Sequence, residues 1–158
     1  MRAIAVVVVL VGLGATALPA QSGAETEAVM APVHRLFDAM RAGDSAMART
    51  VFASEAHLLG VTEQDGQATV RATPVDRFLA AIGRPHDQVW DEKIWDWEVR
   101  IDDDLATVWT WYAFYLGETF SHCGIDAFQL LRVGGEWKVV SLADTRRPSG
   151  CEAPAHAR

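Results

Sequence analysis

The chain has 158 residues, half of them hydrophobic, and its 14 Lys and Arg against 21 Asp and Glu leave a formal charge of −7. That length supports one domain with a real core and is too short for two. An acidic chain without a Lys/Arg cluster excludes nucleic acid and anionic lipid as partners, because holding phosphate rests on neutralising its charge.

In chain order, Arg2, the apolar run from Ala3 to Leu18 and the small residues around Pro19-Ala20 read as a signal peptide over residues 1–20. Cleavage falls after Ala20 or, a little later, after Ala24. The apolar stretch is shorter than the ~20 residues a membrane span needs, and no Cys follows it to carry a lipid. The mature chain is expected in the periplasm or outside the cell, free of the membrane, and one unit more acidic through loss of Arg2.

Glu25 to Ala42 sets Val29, Met30, Val33, Leu36, Phe37 and Met40 at three- and four-residue intervals, the stripe of a helix packed on one side. Gly43 stops it, and Asp44 caps a second short helix running through Phe52. His57–Thr62 and Gln67–Arg71 alternate around Asp65-Gly66, a hairpin signal. Thr73-Pro74 opens a third helix carrying Val75, Phe78, Leu79 and Ile82, which Gly83-Arg84-Pro85 ends.

The remainder reads as an antiparallel meander: Val89–Ile101, Leu105–Leu116, Thr119–Val133 and Glu136–Arg146. Its turns fall near Asp102-Asp103, at Gly117-Glu118 and at Gly134-Gly135. Such long strands, wrapped around helices, make an α+β cone in which a curved antiparallel sheet surrounds three N-terminal helices and a pocket opens at one end. The tail beyond Cys151 has no apolar residue larger than Ala and is expected to be disordered.

Several stretches carry a resemblance. They are Trp95-Asp96-Trp97-Glu98-Val99-Arg100-Ile101, Leu105-Ala106-Thr107-Val108-Trp109, the segment from Phe120 through His122 and Asp126 to Leu130, and Gly135-Glu136-Trp137 through Asp144 to Arg147. With the order of elements, they resemble the nuclear transport factor 2-like superfamily, and within it the exported SnoaL-like branch labelled putative lumazine-binding. The resemblance implies a cystatin-like α+β barrel over residues 24–147, followed by a tail at 148–158 that contains Cys151. It implies function only loosely, since the superfamily holds isomerases, cyclases, dehydratases, transport factors and binding domains. Isomerase-like members keep a catalytic carboxylate at the start of the first strand after the helix hairpin; the matching place here is Leu59 or Gly60, which speaks against that chemistry.

Pairing the hairpins about two-residue turns assigns the sheet faces. Leu116 then meets Thr119, Trp109 meets Asp126, and Phe128 meets Ser141. One face collects Trp109, Trp111, Tyr115, Phe120, His122, Asp126 and Phe128. The other collects Val140 and Leu142, together with Asp144 and Arg146, and offers a homodimer surface. Whether Trp95 and Trp97, or Ile94 and Asp96, join the aromatic face depends on the length of the Asp102-Asp103-Asp104 turn.

The aromatic face is expected to line the pocket, so Trp109, Trp111, Tyr115, His122, Asp126 and Phe128, with His57 at the opening, are the candidate ligand-binding residues. Asp126 and His122 are the catalytic candidates, since a carboxylate among tryptophans is poorly solvated and gains proton affinity. Four strand residues hold them roughly 13 Å apart, too far for a dyad. Read structurally, Asp126 ties down a loop and His122 is a rim histidine. Cys123 and Cys151 survive cleavage and are expected to form a disulfide, unless they are unrelated thiols or one bridges to a second chain.

Paired-His spacing, Cys-x-x-Cys, Gly-x-Ser-x-Gly and a phosphate loop are all missing from the sequence, so neither metal nor cofactor is expected. Three functions fit: holding a small, flat, apolar molecule; a cofactor-free isomerase, cyclase or dehydratase that moves a proton through Asp126; or a dimeric interaction module.

Overall fold

In the computed structural model, residues 23–64 and 66–157 are described, and the predicted signal peptide and Asp65 lie outside them. Three helices, α1 (Gly23–Ala42), α2 (Ser45–Arg49) and α3 (Val75–Ile82), are joined by six strands. The strands are β1 (Phe52–Gln64), β2 (Gln67–Thr73), β3 (Trp90–Asp102), β4 (Leu105–Leu116), β5 (Thr119–Val133) and β6 (Glu136–Asp144). Together they form one curved, unclosed sheet in the order β2-β1-β6-β5-β4-β3. The predicted meander is present, with its three turns. Asp44 caps α2 through a 2.8 Å bond to the Met47 amide, but the helix stops at Arg49 because Phe52 already starts β1.

One pairing departs from the antiparallel expectation. β1 lies parallel to β6, with Leu58 beside Leu142 and Gly60 beside Asp144. Parallel neighbours need a long crossover, and everything from β2 to β5 supplies it.

The apolar stripe of α1 packs into the hollow of the sheet, where Val29, Val33, Leu36 and Phe37 meet Val108, Phe128, Leu130 and Val139, all buried. Phe37 and Phe128 meet edge to face at 6.2 Å. This is the main core.

Three irregularities decide which side chains share a face. Between β4 and β5 the register shifts after Phe114, so that His122 meets Phe114 and Asp126 meets Thr110. Between β5 and β6 it shifts at Gln129/Leu130, so that Phe128 meets Leu142 and Asp126 meets Asp144. In β3, Asp96 adopts φ 51° and the pairing jumps from Trp95 to Glu98. An extra residue turns every later side chain over. Regular two-residue turns therefore give the right ends of the hairpins and the wrong faces beyond the bulges.

The outer face shows the consequence. Trp95 and Trp111 stack there at 6.3 Å, next to Ala113, Tyr115 and Phe120. The Cys123–Cys151 disulfide closes over them, and Ala153 and Ala157 pack on the same cluster. The disulfide thus brings residues 152–157 against this cluster, where their composition alone led to the expectation of a free tail. Closing a loop across a separation of 28 residues is worth about 3.5 kcal/mol on the chain-entropy account. Leu142, expected on a dimer surface with Val140, points into the hollow of the sheet instead, since the Gln129/Leu130 shift reverses it. Among the described residues, the exposed large apolar side chains of the strands are Val61, Val70, Leu105, Trp109, Leu131 and Val133.

Candidate functional site

Between α1, α3 and the inner face of the sheet lies a cavity of about 460 Å³, open at one end. Its walls are mostly apolar: Leu36, Phe37 and Met40 from α1, Phe78 from α3, and Trp90, Phe114 and Leu142 from the sheet. Trp90 and Phe114 meet edge to face at 6.0 Å and make a flat aromatic corner. A volume of this size suits a small organic molecule of two or three rings, within the usual range for ligand pockets.

Set into these walls is a polar group contributed by four strands. Glu92 from β3, Tyr112 from β4, His122 and Asp126 from β5, and Asp144 with the following Arg146 from β6 all line the cavity. Gly124 lets them converge. It pairs with Tyr112, and a Cβ there would run into the Thr145 carbonyl oxygen and stand 2.8 Å from its carbon. Only glycine lets the end of β6 cross so close. The crossing is fixed by the Tyr112 hydroxyl, which donates to the Thr145 carbonyl at 2.9 Å, and by the Ile125 amide, which donates to the Thr145 hydroxyl at 3.1 Å.

Asp126 is 2% exposed, and its Oδ2 has no hydrogen-bond partner. Its carboxyl meets that of Glu92 within hydrogen-bonding reach. Two ionised carboxylates are acceptors only, so the bond requires a proton on one of them. Burial first, and then the charge of its neighbour Glu92, push Asp126 well above the carboxylate range. Burial likewise raises Glu92 to about 7, against the opposing pull of the Asp126 hydrogen bond and with help from the charge of Asp144. Two acids therefore share a site that holds a proton near neutrality.

The other polar groups are set by the same surroundings. His122 is lowered by burial and then by the nearby Arg146 charge, so its ring is neutral; it lies 5.2 Å from the Phe114 ring, with Nδ1 3.0 Å from the Ser121 hydroxyl. Tyr112 is raised by burial and by the charges of Glu92 and Asp126, so it remains a hydroxyl donor. Arg146 Nε donates to Asp144 Oδ2 at 3.0 Å; burial disfavours its charge, but the bond to Asp144 and the charges of Asp144, Tyr112 and Glu92 together outweigh this and keep it cationic. Among the described residues no His/Cys/Asp/Glu group is arranged to hold a metal ion.

Of the residues expected at the site, the structure brings Asp126 and His122 to the cavity. Phe128 is buried beneath it in the core. Trp109 is 56% exposed, and Trp111 and Tyr115 pack with the disulfide on the outer face, all three turned away by the β4/β5 register shift. His57 is exposed and outside the lining, which is formed at that point by its neighbours Leu58, Leu59 and Gly60. Pattern reading missed Glu92 and put Asp144 and Arg146 on the opposite face. Glu92 had a signal, as an acid between Trp90 and Ile94 on the inward alternation of a strand. Asp144 and Arg146 reach the inner face through the bulge opposite Gln129/Leu130.

A family profile described as "Putative lumazine-binding" matches residues 24–143. Among solved structures, the chain is similar to an NTF2-like protein of unknown function from Shewanella baltica, at 22% identity and a TM-score of 0.65 over 83% of this chain and 100% of that one. It is similar also to an NTF2-like protein with a cystatin-like fold from Novosphingobium aromaticivorans, at 12% identity and a TM-score of 0.65 over 80% of this chain and 84% of that one. A cystatin-like protein of unknown function from Nostoc punctiforme matches at 13% identity and 0.64, covering 81% and 95%. No curated protein matches the sequence.

Proposed function

Since the chain belongs to the family described as "Putative lumazine-binding", within the NTF2-like superfamily, we propose that it binds a flat, largely apolar small molecule in the cavity between α1, α3 and the sheet. The observation that carries this reading is the unpartnered, buried Oδ2 of Asp126 in the wall of an open, aromatic-cornered cavity. A buried polar atom without a partner is costly, and a ligand edge bearing an N–H or O–H removes the cost by donating to Oδ2. Aromatic walls with a few convergent polar groups are what a heteroaromatic ring system requires. The Cys123–Cys151 disulfide supports action in an oxidising compartment, the periplasm or the exterior. Among the described residues no helix is long and apolar enough to cross a membrane.

One observation favours a second reading, proton transfer on the bound molecule. Glu92 and Asp126 hold a proton between them near neutrality, as an acid or base needs, with neutral His122 on the same wall. Binding is the premise of both readings.

N-phenyl-1-naphthylamine, a neutral apolar dye that is dark in water, tests binding. It should bind the parent protein saturably, one per chain, and lose roughly tenfold or more of its affinity in Leu142→Trp, where an indole fills the cavity. Equal affinity in the two proteins would place the dye elsewhere and count against the cavity.

A further inference from the structure

The charges around the cavity are not evenly spread. Arg71 from β2, Arg77 from α3 and Arg146 after β6 all line it. Arg146 is matched by Asp144. Arg77 forms no ion pair among the described residues, and Arg71 makes only a long 3.4 Å contact to the Thr73 hydroxyl. Gly60 helps place Arg71. A Cβ there would stand 3.2 Å from Arg71 Nη2 and 2.6 Å from Asp144 Oδ1, so its absence lets the guanidinium and the carboxylate approach the same point of β1. The two cations come from β2 and α3, and the Glu92–Asp126 pair from the start of β3 and the middle of β5.

We propose that the ligand is an amphipathic anion, a flat ring system carrying a carboxylate, phosphate or sulfonate, whose anionic group is held by Arg71 and Arg77 while its ring edge meets Asp126. This rests on the binding reading above and specifies its ligand class. Guanidinium groups form forked, charge-assisted hydrogen bonds with such oxyanions. The acids do not oppose the anion, because the carboxyl pair shares a proton and Asp144 is occupied by Arg146. Two cations without carboxylate partners beside an apolar hollow form a site that a neutral molecule leaves half used.

A matched pair of probes tests this. 8-Anilinonaphthalene-1-sulfonate is N-phenyl-1-naphthylamine with one added sulfonate, so the ratio of their affinities isolates the anion. In the parent the sulfonate probe should bind at least roughly tenfold tighter, and added salt should weaken it alone. The double variant Arg71→Gln/Arg77→Gln should abolish the preference and leave the neutral dye unchanged; Arg71→Lys/Arg77→Lys should restore part of it. Both side chains are exposed, so the variants keep the fold. If the neutral dye binds in the cavity and the sulfonate is no tighter, or if its preference survives both Gln substitutions, the anion proposal is overturned and cavity binding stands. If neither probe binds, both are overturned.

Discussion

Asp126→Asn should make the protein more stable than its parent at pH 8, with the difference shrinking as pH falls into the ordinary carboxylate range and vanishing only below it. The direction follows from the raised acids. Glu92 has an ordinary value of 4.5 and is held at about 7 in the fold, and Asp126 is displaced the same way. A carboxyl raised in the folded state costs nothing below its unfolded value, where it is protonated in both states. Its cost grows as pH rises through that value and is complete above the folded one. For Glu92 alone the full penalty is about 3 kcal/mol, present above pH 7 and relieved towards pH 4.5. An amide at position 126 removes one acid and gives the other a donor for its ionised form. Thermal melts of parent and variant across pH 5–8 should therefore diverge with rising pH, by about 2 kcal/mol at the top. Parallel curves would show that the two carboxyls are not a coupled, proton-sharing pair.

Gly124→Ala is expected to cost about 3 kcal/mol or more, a fall of roughly 10 °C in melting temperature. The added methyl meets backbone, the Thr145 carbonyl, which cannot swing aside. Moving it breaks the Tyr112 and Ile125 bonds to Thr145 and shifts Asp144 and Arg146, which follow the same stretch of chain. Gly60→Ala is the internal control. Its methyl meets the Asp144 carboxylate and the Arg71 guanidinium, side chains that can rotate, so it should disturb the cavity more than the fold. A Gly124→Ala protein that melts like the parent would mean that β6 does not cross β5 at this point.

These two glycines mark the limit of what sequence pattern could show. The stripe Val29-Val33-Leu36-Phe37-Met40 and the turns at Gly117 and Gly134 announce helix and hairpins, because helical period and turn chemistry are local properties. The faces are not local. One extra residue after Phe120, one near Val140 and the left-handed Asp96 invert the alternation, and no residue type there announces a bulge. Asp126 and His122 were found because both lie on β5, whose own alternation is intact between them, whereas Trp109, Trp111 and Tyr115 were misplaced because they were assigned across a shifted hairpin. Asp144 and Arg146 were placed on the far face for the same reason. The parallel β1–β6 contact, which brings Gly60 beside Asp144, joins segments too distant in sequence for any periodicity to link.

The central claim is that the cavity walled by Trp90, Phe114 and Leu142 and bearing Asp126 holds a small molecule. Native mass spectrometry of the protein purified from its own compartment, without denaturation, tests it most directly. The account predicts a chain carrying one noncovalent organic molecule per copy, lost on gentle activation and absent from Leu142→Trp prepared in the same way. A parent protein that flies only at the mass of its bare chain, and that also fails to take up either naphthyl probe, would contradict it.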